Sequence, residues 1–364
     1  MTNVFIIAEA GVNHNGERDM ALALVDAAAG AGANAVKFQT FKADNVISAG
    51  VEKAEYQKQA TDSGESQLEM LQRLELSHDL HHELFDHCRK KGIRFLSTPF
   101  DANSLRFLVD DLKLDTLKIP SGEITNGPLL LQAGTSGCDI ILSTGMSTLD
   151  EVTEALGVLA FGLTGGEQPS PDAFRDDFNS DAGKKALREK VTLLHCTTEY
   201  PAPFEDANLS AMDTMRDAFG LRVGLSDHTP GIAVAIAATA LGASVIEKHF
   251  TLDRSLPGPD HQASLEPNEL KEMIEGIRAV EQSLGDGNKQ LQPSEVKNKA
   301  IVRKSLVALE PVKAGEPFTE DNLGVKRPGG GASPMEYWDR LGKPADRDYA
   351  ANAPIDQKTN SQAH

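Results

Sequence analysis

Short apolar runs alternate with polar segments along the first 250 residues of the chain. Eight such runs, rich in Val, Ile and Leu, begin near residues 4, 35, 94, 116, 140, 191, 223 and 245. Most are followed by a stretch whose apolar positions have helical spacing, such as residues 20–31 and 80–89. Strands that alternate with helices pair in parallel. The pattern therefore predicts an α/β fold, a (β/α)₈ TIM barrel, whose functional site lies at the carboxyl ends of the strands.

The character of the sequence changes after the eighth run. We predict that residues 1–284 form the barrel, that the polar residues 285–299 form a linker, and that residues 300–364 form a small second domain. A long polar loop is predicted to follow the second strand and to run through residue 65. Residues 161–190 are rich in Gly, Pro, Asp and Ser and are interpreted as a surface insertion.

Charge and composition exclude several classes of protein. The net charge of −18 lies entirely in the first 300 residues and argues against nucleic acid or an anionic membrane as a partner. An anionic substrate would therefore need specific local cations. No apolar run approaches the ~20 residues of a membrane span. Three scattered cysteines, and a start without a targeting segment, predict a cytoplasmic protein.

Two histidines stand at matching positions after the last two apolar runs. V-G-L-S-D-H-T ends near His228, and V-I-E-K-H-F ends near His249. In a parallel barrel these strand ends gather on one face, so the two imidazoles would form a half-open metal site with positions left for substrate oxygens. The alternative is that each histidine satisfies a nearby backbone group. Their matched placement favours the metal site.

Other strand-end residues suit the binding of a phosphate or a carboxylate. They are the cations and hydroxyls of Lys37, Thr98, Lys118, Ser121, Ser143 and Ser226. The alternatives are that the lysines pair with carboxylates of the barrel wall and that the hydroxyls cap helices.

A third group offers acids and sugar contacts. Glu9, Glu123 and Asp260 are candidate acids, bases or acceptors for sugar hydroxyls, or else structural partners of the lysines. Tyr200 would stack on a sugar ring or pack into the core. Arg327, in the K-R-P-G-G-G loop of the small domain, suits bidentate recognition of a carbonyl or carboxylate, although a surface arginine is the default.

Ten motifs in this order resemble those of the bacterial sialic acid (N-acetylneuraminate) synthase family, from about residue 4 to residue 351. They are I-A-E-A-G-V-N-H-N-G, A-V-K-F-Q-T-F-K-A, F-L-S-T-P-F-D, K-I-P-S-G-E, I-L-S-T-G-M, H-C-T-T-E-Y-P-A-P, G-L-S-D-H-T, E-K-H-F-T-L-D, G-P-D-H and K-R-P-G-G-G. The resemblance implies a barrel followed by an antifreeze-like (SAF) domain. It also implies condensation of phosphoenolpyruvate with an N-acylated mannosamine-type sugar to give a nine-carbon 2-keto acid and phosphate. A divalent metal, Mn²⁺ before Mg²⁺ or Co²⁺, and a domain-swapped homodimer are further implications.

The resemblance also assigns roles to single residues. His228 and His249 match metal ligands, and Glu9 matches a carboxylate near the metal. The phosphoenolpyruvate contacts match Lys37, Thr98, Lys118, Ser121, Ser143 and Ser226. The groups around the acceptor sugar match Gln39, Glu123, Tyr200, Asp260 and, for the N-acyl group, Arg327 from the partner subunit. Where some members carry an asparagine, this chain has Thr197 and Thr198, which puts one phosphoenolpyruvate contact in doubt.

The first interpretation is an N-acetylneuraminate synthase that condenses phosphoenolpyruvate with N-acetylmannosamine, and three alternatives accompany it. An N,N′-diacetyllegionaminate synthase would perform the same chemistry on a 6-deoxy sugar with two acetamido groups, and H-C-T-T-E-Y-P-A-P favours it. A non-catalytic carbohydrate-binding protein would have lost the strand-end polar groups, but nearly all are present. An aldolase with a Schiff base on Lys118 or Lys37 is disfavoured by the paired histidines.

Overall fold

A computed structural model describes residues 3–48, 51, 53 and 65–357 of the 364-residue chain. The chain divides into two compact units, Met1–Leu284 and Gly285–His364. Most of the predicted polar loop that runs through residue 65 lies outside the described residues. No helix in the described part of the chain is both long enough and apolar enough to cross a membrane.

The first unit is built on eight parallel strands. They are β1 (Phe5–Gly11), β2 (Ala35–Thr40), β3 (Arg94–Pro99), β4 (Thr116–Ile119), β5 (Asp139–Ser143), β6 (Val191–Cys196), β7 (Arg222–Asp227) and β8 (Val245–His249). Their order is β3-β2-β1-β8-β7-β6-β5-β4, and β3 also contacts β4, so the sheet curls into a nearly closed barrel. The predicted (β/α)₈ barrel is confirmed.

Helices surround this barrel. They are α1 (Arg18–Ala31), α2 (Ala43–Val46), α3 (Gln67–Leu74), α4 (His78–Lys91), α5 (Ala102–Arg106), α6 (Gly127–Thr135), α7 (Leu149–Thr164), α8 (Pro171–Asn179), α9 (Asp181–Lys190), α10 (Ala211–Phe219), α11 (Ala233–Ala240) and α12 (Pro267–Ser283). Local sequence sets many of their ends. Thr148 and Glu151 form a capping box at the start of α7, and Gly92 ends α4 in the left-handed conformation.

The barrel interior follows the two-residue period of its strands. A lower apolar layer consists of Ile7, Ala35, Leu96, Ile141, Leu194 and Val245. Two residues further along the same six strands come Glu9, Lys37, Thr98, Ser143, Cys196 and Glu247. Side chains two apart point to the same face of a strand, so a polar layer lies on top of the apolar one. On β7, Gly224 lies between Leu194 and Val245, where an added Cβ would come within 2.3 Å of the Val245 carbonyl oxygen.

The predicted surface insertion contains regular structure. Helix α7 continues into it as far as Thr164, and residues 171–190 form α8 and α9. The rings of Phe161 and Phe174 meet edge to face, with centroids 5.2 Å apart. Gly157 allows the contact, because an added Cβ would lie 2.9 Å from the Phe174 carbonyl oxygen. The high content of Gly, Pro and Asp did not predict these helices. Serine caps and the packing of the two aromatic rings stabilise them.

The second unit has its own small core. It contains α13 (Val296–Val302), β9 (Ser305–Ala308), β10 (Leu323–Lys326) and α14 (Tyr337–Arg340). Strands β9 and β10 pair antiparallel over buried Leu306, Phe318 and Tyr349. Helix α13 begins inside the stretch that we interpreted as a linker, so part of that stretch is helical.

Candidate active site

Twelve of the fourteen predicted site residues line one cavity of about 350 Å³ at the carboxyl ends of the strands. These residues are Glu9, Lys37, Gln39, Thr98, Lys118, Ser121, Ser143, Tyr200, Ser226, His228, His249 and Asp260. They come from seven of the eight strands and from the loops after β4, β6, β7 and β8, so the barrel brings together positions far apart in sequence. The residues predicted for the site thus share one cavity, and their roles in binding and catalysis stay predictions.

Four buried charges form the floor of the cavity. The Lys37 ammonium lies 2.5 Å from Glu9 and 3.5 Å from Glu247, and Lys118 lies 3.1 Å from Glu247. All four side chains are at most 5% exposed. Ser226 donates a hydrogen bond to Glu247 at 2.8 Å. Both lysines are thus retained inside an acidic protein because each has a carboxylate partner.

The two carboxylates of this floor have different proton affinities. Burial raises the pKa of Glu9 to about 7, and the charge of Glu247 adds to the rise while Lys37 opposes it. The pKa of Glu247 is lowered, because the attraction of Lys118 and Lys37 outweighs the effect of burial. Glu247 therefore serves as the permanent counter-charge, and Glu9 can exchange a proton near neutral pH.

His228 and His249 meet above the charged floor. Their ring centroids are 5.5 Å apart, and the Tyr200 ring lies 4.2 Å from His228 and 5.5 Å from His249. The Nδ1–H of His228 donates to the Thr197 carbonyl at 2.7 Å, which leaves Nε2 as the acceptor nitrogen. The predicted convergence of the two imidazoles is therefore present.

These residues fit one half of a metal site. A backbone carbonyl that fixes one imidazole nitrogen is the usual partner of a metal-binding histidine. Nδ1 of His249 is buried and has no hydrogen-bond partner among the described residues. Burial lowers the pKa of His249 well below its usual value, so this ring is the neutral form that metals bind.

The protein supplies only part of a coordination shell. Within residues 3–48, 51, 53 and 65–357, no three His, Cys, Asp or Glu side chains are grouped to hold a metal ion. Burial lowers the pKa of His228, but the neighbouring Cys196 outweighs burial and leaves that pKa raised. A divalent cation bound here would displace the proton that the raised pKa favours on the His228 ring. Oxygen atoms of substrate and water would complete the coordination shell of the cation.

Hydroxyls and a backbone amide line the side of the cavity near β5 and β6. Ser121 Oγ accepts a hydrogen bond from the Gly145 amide at 2.9 Å. The hydroxyls of Ser143 and Thr198 are buried and have no partner among the described residues. Gly145 is needed here, because an added Cβ would come within 2.3 Å of Thr198 Oγ1. Unpaired buried hydroxyls beside a cation suit an oxyanion ligand.

Asp260 reaches the cavity from the loop after β8. Its carboxylate lies 3.8 Å from Nδ1 of His249, and burial raises its pKa to about 6. His261 holds this loop in place through Thr251 at 2.6 Å and Asn15 at 3.2 Å.

Two predicted residues lie outside the cavity lining. The Glu123 carboxylate accepts a hydrogen bond from Asn126 at 2.6 Å and so belongs to the start of α6. Arg327 is an exposed residue of the second unit, and its role in sugar binding remains a prediction.

The sequence reasoning left three features of the cavity unassigned. Glu247 is the glutamate of V-I-E-K-H-F and has no predicted role, although the two-residue period places it on the same face of β8 as His249. Thr198 was noted only as a departure from the family pattern. Helices α2 and α3 form an apolar wall of the cavity, but α2 lies within the predicted polar loop and α3 directly after it, and the pattern of that loop gave no signal for a site.

The fold and the site define a barrel enzyme whose cavity lies at the carboxyl ends of the strands. The chain belongs to the NeuB family, whose sequence profile matches residues 24–289, and the SAF domain profile matches residues 303–358. It is therefore a barrel enzyme of the sugar acid synthase class, followed by a SAF domain. The resemblance to sialic acid synthases is thereby confirmed at the level of the family.

Several relatives align over almost the whole chain. An N,N′-diacetyllegionaminic acid synthase of Campylobacter jejuni is 51% identical, and the alignment covers 96% of this chain and 98% of the Campylobacter protein. A Legionella pneumophila protein of the same name is 45% identical over 93% of this chain and 89% of its own length. The crystal structure of an N-acetylneuraminic acid synthetase from Leptospira borgpetersenii, in complex with citrate, superposes with a TM-score of 0.67. It is 34% identical, over 82% of this chain and 90% of that one.

Proposed function

We propose that this enzyme condenses phosphoenolpyruvate with 2,4-diacetamido-2,4,6-trideoxymannose to give N,N′-diacetyllegionaminate and phosphate. The names of the Campylobacter and Legionella relatives support this acceptor over N-acetylmannosamine, which our sequence analysis placed first. Either sugar would undergo the same condensation with phosphoenolpyruvate, so the two hypotheses differ only in the acceptor sugar.

One observation carries the proposed chemistry. The cavity joins two buried lysines and several hydroxyls to a pair of imidazoles within about 350 Å³. Phosphoenolpyruvate carries a phosphate and a carboxylate, and Lys37 and Lys118 are the buried cations available to them. Ser143 and Thr198 offer hydroxyls without partners among the described residues. Holding both substrates in one cavity makes their encounter intramolecular.

The reaction then proceeds in three stages. C3 of phosphoenolpyruvate forms a bond with the aldehyde carbon of the open-chain sugar, the C2=C3 double bond is lost, and the aldehyde oxygen takes up a proton to become a hydroxyl. Water adds at the electron-deficient C2. Phosphate then leaves that tetrahedral carbon with cleavage of the C2–O bond, so that the oxygen of the water becomes the keto oxygen and its two protons end on the new hydroxyl and on phosphate. The lysines neutralise the phosphate as it departs.

The structure favours Glu9 over Glu123 as the group that assists water. Glu9 lines the cavity and has a pKa near 7, whereas the Glu123 carboxylate is held by Asn126. A group with such a pKa transfers protons efficiently at neutral pH. Tyr200, Gln39 and Asp260 remain for the sugar, and Arg327 from a swapped partner subunit is proposed for an N-acyl group.

We further propose that His228 and His249 hold a divalent cation, with Mn²⁺ before Mg²⁺ or Co²⁺. When bound, such an ion would polarise the sugar carbonyl. Titration of metal-free protein with Mn²⁺, followed by electron paramagnetic resonance, should show one tight site that His249→Ala abolishes. His195→Ala is the matched control, since the Nε2–H of that imidazole donates to the Ala207 carbonyl oxygen at 2.8 Å and the residue does not line the cavity. Full activity in excess EDTA would contradict this part of the proposal.

A side-by-side assay tests the choice of sugar. Purified enzyme with phosphoenolpyruvate and Mn²⁺ should release phosphate faster with the diacetamido sugar than with N-acetylmannosamine. A larger kcat/KM for N-acetylmannosamine would refute the proposed acceptor. Absence of phosphate release with either sugar would refute the condensation itself.

A further inference from the structure

The cavity continues from its charged floor into an apolar end. Six side chains form this apolar end, and they are Phe41, Val46, Met70, Leu71, Leu74 and Phe100. They come from β2 and β3 loops and from α2 and α3, and they pack with Val12 as a cluster separate from the main barrel core. The rings of Phe41 and Phe100 meet edge to face, with centroids 6.1 Å apart. A ligand that reached from floor to wall would need both polar and apolar parts.

One polar group stands in this apolar end. Gln67 lines the cavity as the first residue of α3, after the capping box of Ser66 and Glu69. Its Oε1 is buried and has no hydrogen-bond partner among the described residues. A buried acceptor without a partner is costly, so a donor from a ligand would be strongly favoured.

An acetamido group offers both features that this end of the cavity requires. Its N–H is a donor for Gln67 Oε1, and its methyl group can pack on Met70 and Leu71. The proposed acceptor carries two acetamido groups, and N-acetylmannosamine carries one. At C4 the diacetamido sugar carries an acetamido group, whereas N-acetylmannosamine carries a hydroxyl.

We infer that Gln67 and the apolar end form the subsite for the C4 acetamido group, and that they select the diacetamido sugar. The inference rests on the proposed function and adds to it that helices α2 and α3 carry the selection. A C4 hydroxyl is too short to fill the apolar end and places no methyl group against it.

The test compares kcat/KM for the two sugars in three variants. Gln67→Met keeps the length of the side chain and removes the acceptor, and Leu71→Gln makes the wall polar. Gln72→Met is the matched control, because Gln72 is exposed on the same helix and hydrogen-bonds Asp44 at 3.1 Å. Circular dichroism melting checks the fold of each variant.

The expected result is a change in selectivity. Gln67→Met should lower kcat/KM for the diacetamido sugar about tenfold, and Leu71→Gln by about tenfold or more. Turnover of N-acetylmannosamine, whose C4 hydroxyl leaves the apolar end unfilled, should fall much less in either variant, so the ratio of the two kcat/KM values shifts. Gln72→Met should behave as wild type with both sugars.

Two failures can be told apart. If the wild-type enzyme prefers N-acetylmannosamine, the proposed function and the subsite both fall. If the wild-type enzyme prefers the diacetamido sugar but both variants keep that preference, or lose both activities equally, only the subsite is overturned.

Discussion

Lys248 and Asp227 tie together the two strands that carry the histidines. Lys248 Nζ lies 2.8 Å from Asp227 Oδ2, and both side chains are 1% exposed. Each immediately precedes a histidine of the cavity, so by strand alternation the pair lies on the outer face of the barrel. Asp227 also accepts hydrogen bonds from the Thr229 amide at 2.9 Å and hydroxyl at 2.8 Å.

Lys248→Met should therefore be strongly destabilising. It removes the cation and leaves a buried carboxylate with hydrogen bonds from Thr229 alone. Breaking a buried pair from one side costs about 3–5 kcal/mol. Adding Asp227→Asn removes the stranded charge, so the double variant should recover part of the loss, with a coupling energy of about 2 kcal/mol.

Urea unfolding followed by far-ultraviolet circular dichroism measures this cycle. Tryptophan fluorescence would not, since the single tryptophan, Trp338, lies in the second unit. Lys271→Met is the control, because it breaks an exposed pair with Glu275 and should cost about 0.5 kcal/mol or less. Equal stability of Lys248→Met and wild type, or strict additivity of the two substitutions, would refute the reasoning.

Three further predictions concern the charged floor of the cavity, the stability of the protein at low pH and the packing of the barrel interior. Glu247→Gln leaves Lys37 and Lys118 without their shared counter-charge and should slow phosphate release about 100-fold. The control Glu123→Gln should change the rate little. Equal losses in the two variants would contradict the role of Glu247 as the counter-charge. Burial lowers the pKa of His81 from its usual 6.5 to about 4. The folded state then binds fewer protons at His81 than the unfolded state between these values, so the contribution of His81 to stability is full above pH 6.5 and falls by about 3 kcal/mol towards pH 4. The slope of the urea midpoint against pH should therefore shrink in His81→Gln, and an unchanged slope would contradict the reasoning. Gly224→Ala should destabilise by about 1–3 kcal/mol in thermal unfolding, because its Cβ would meet the Val245 carbonyl; an unchanged midpoint would contradict the packing.

The sequence contained enough to predict the barrel and most of its cavity. Eight apolar runs ending in polar residues determine which side chains gather at the strand ends, and Glu9, Lys37 and His249 follow from that rule. The position of Glu123 outside the cavity lining did not follow from that rule, because a turn after β4 directs its carboxylate to Asn126 and such turns have no simple period. Its role in sugar binding stays a prediction. The wall around Gln67 was missed because α2 and α3 interrupt the regular strand–helix rhythm.

The fate of the oxygen that bridges C2 and phosphorus in phosphoenolpyruvate tests the proposed reaction most directly. Enzyme, Mn²⁺, the diacetamido sugar and phosphoenolpyruvate labelled with ¹⁸O at that position would be analysed by mass spectrometry. The account predicts a nine-carbon 2-keto acid that retains both acetamido groups, together with phosphate that carries the label. Unlabelled phosphate, or a product without the carbon–carbon bond, would contradict it.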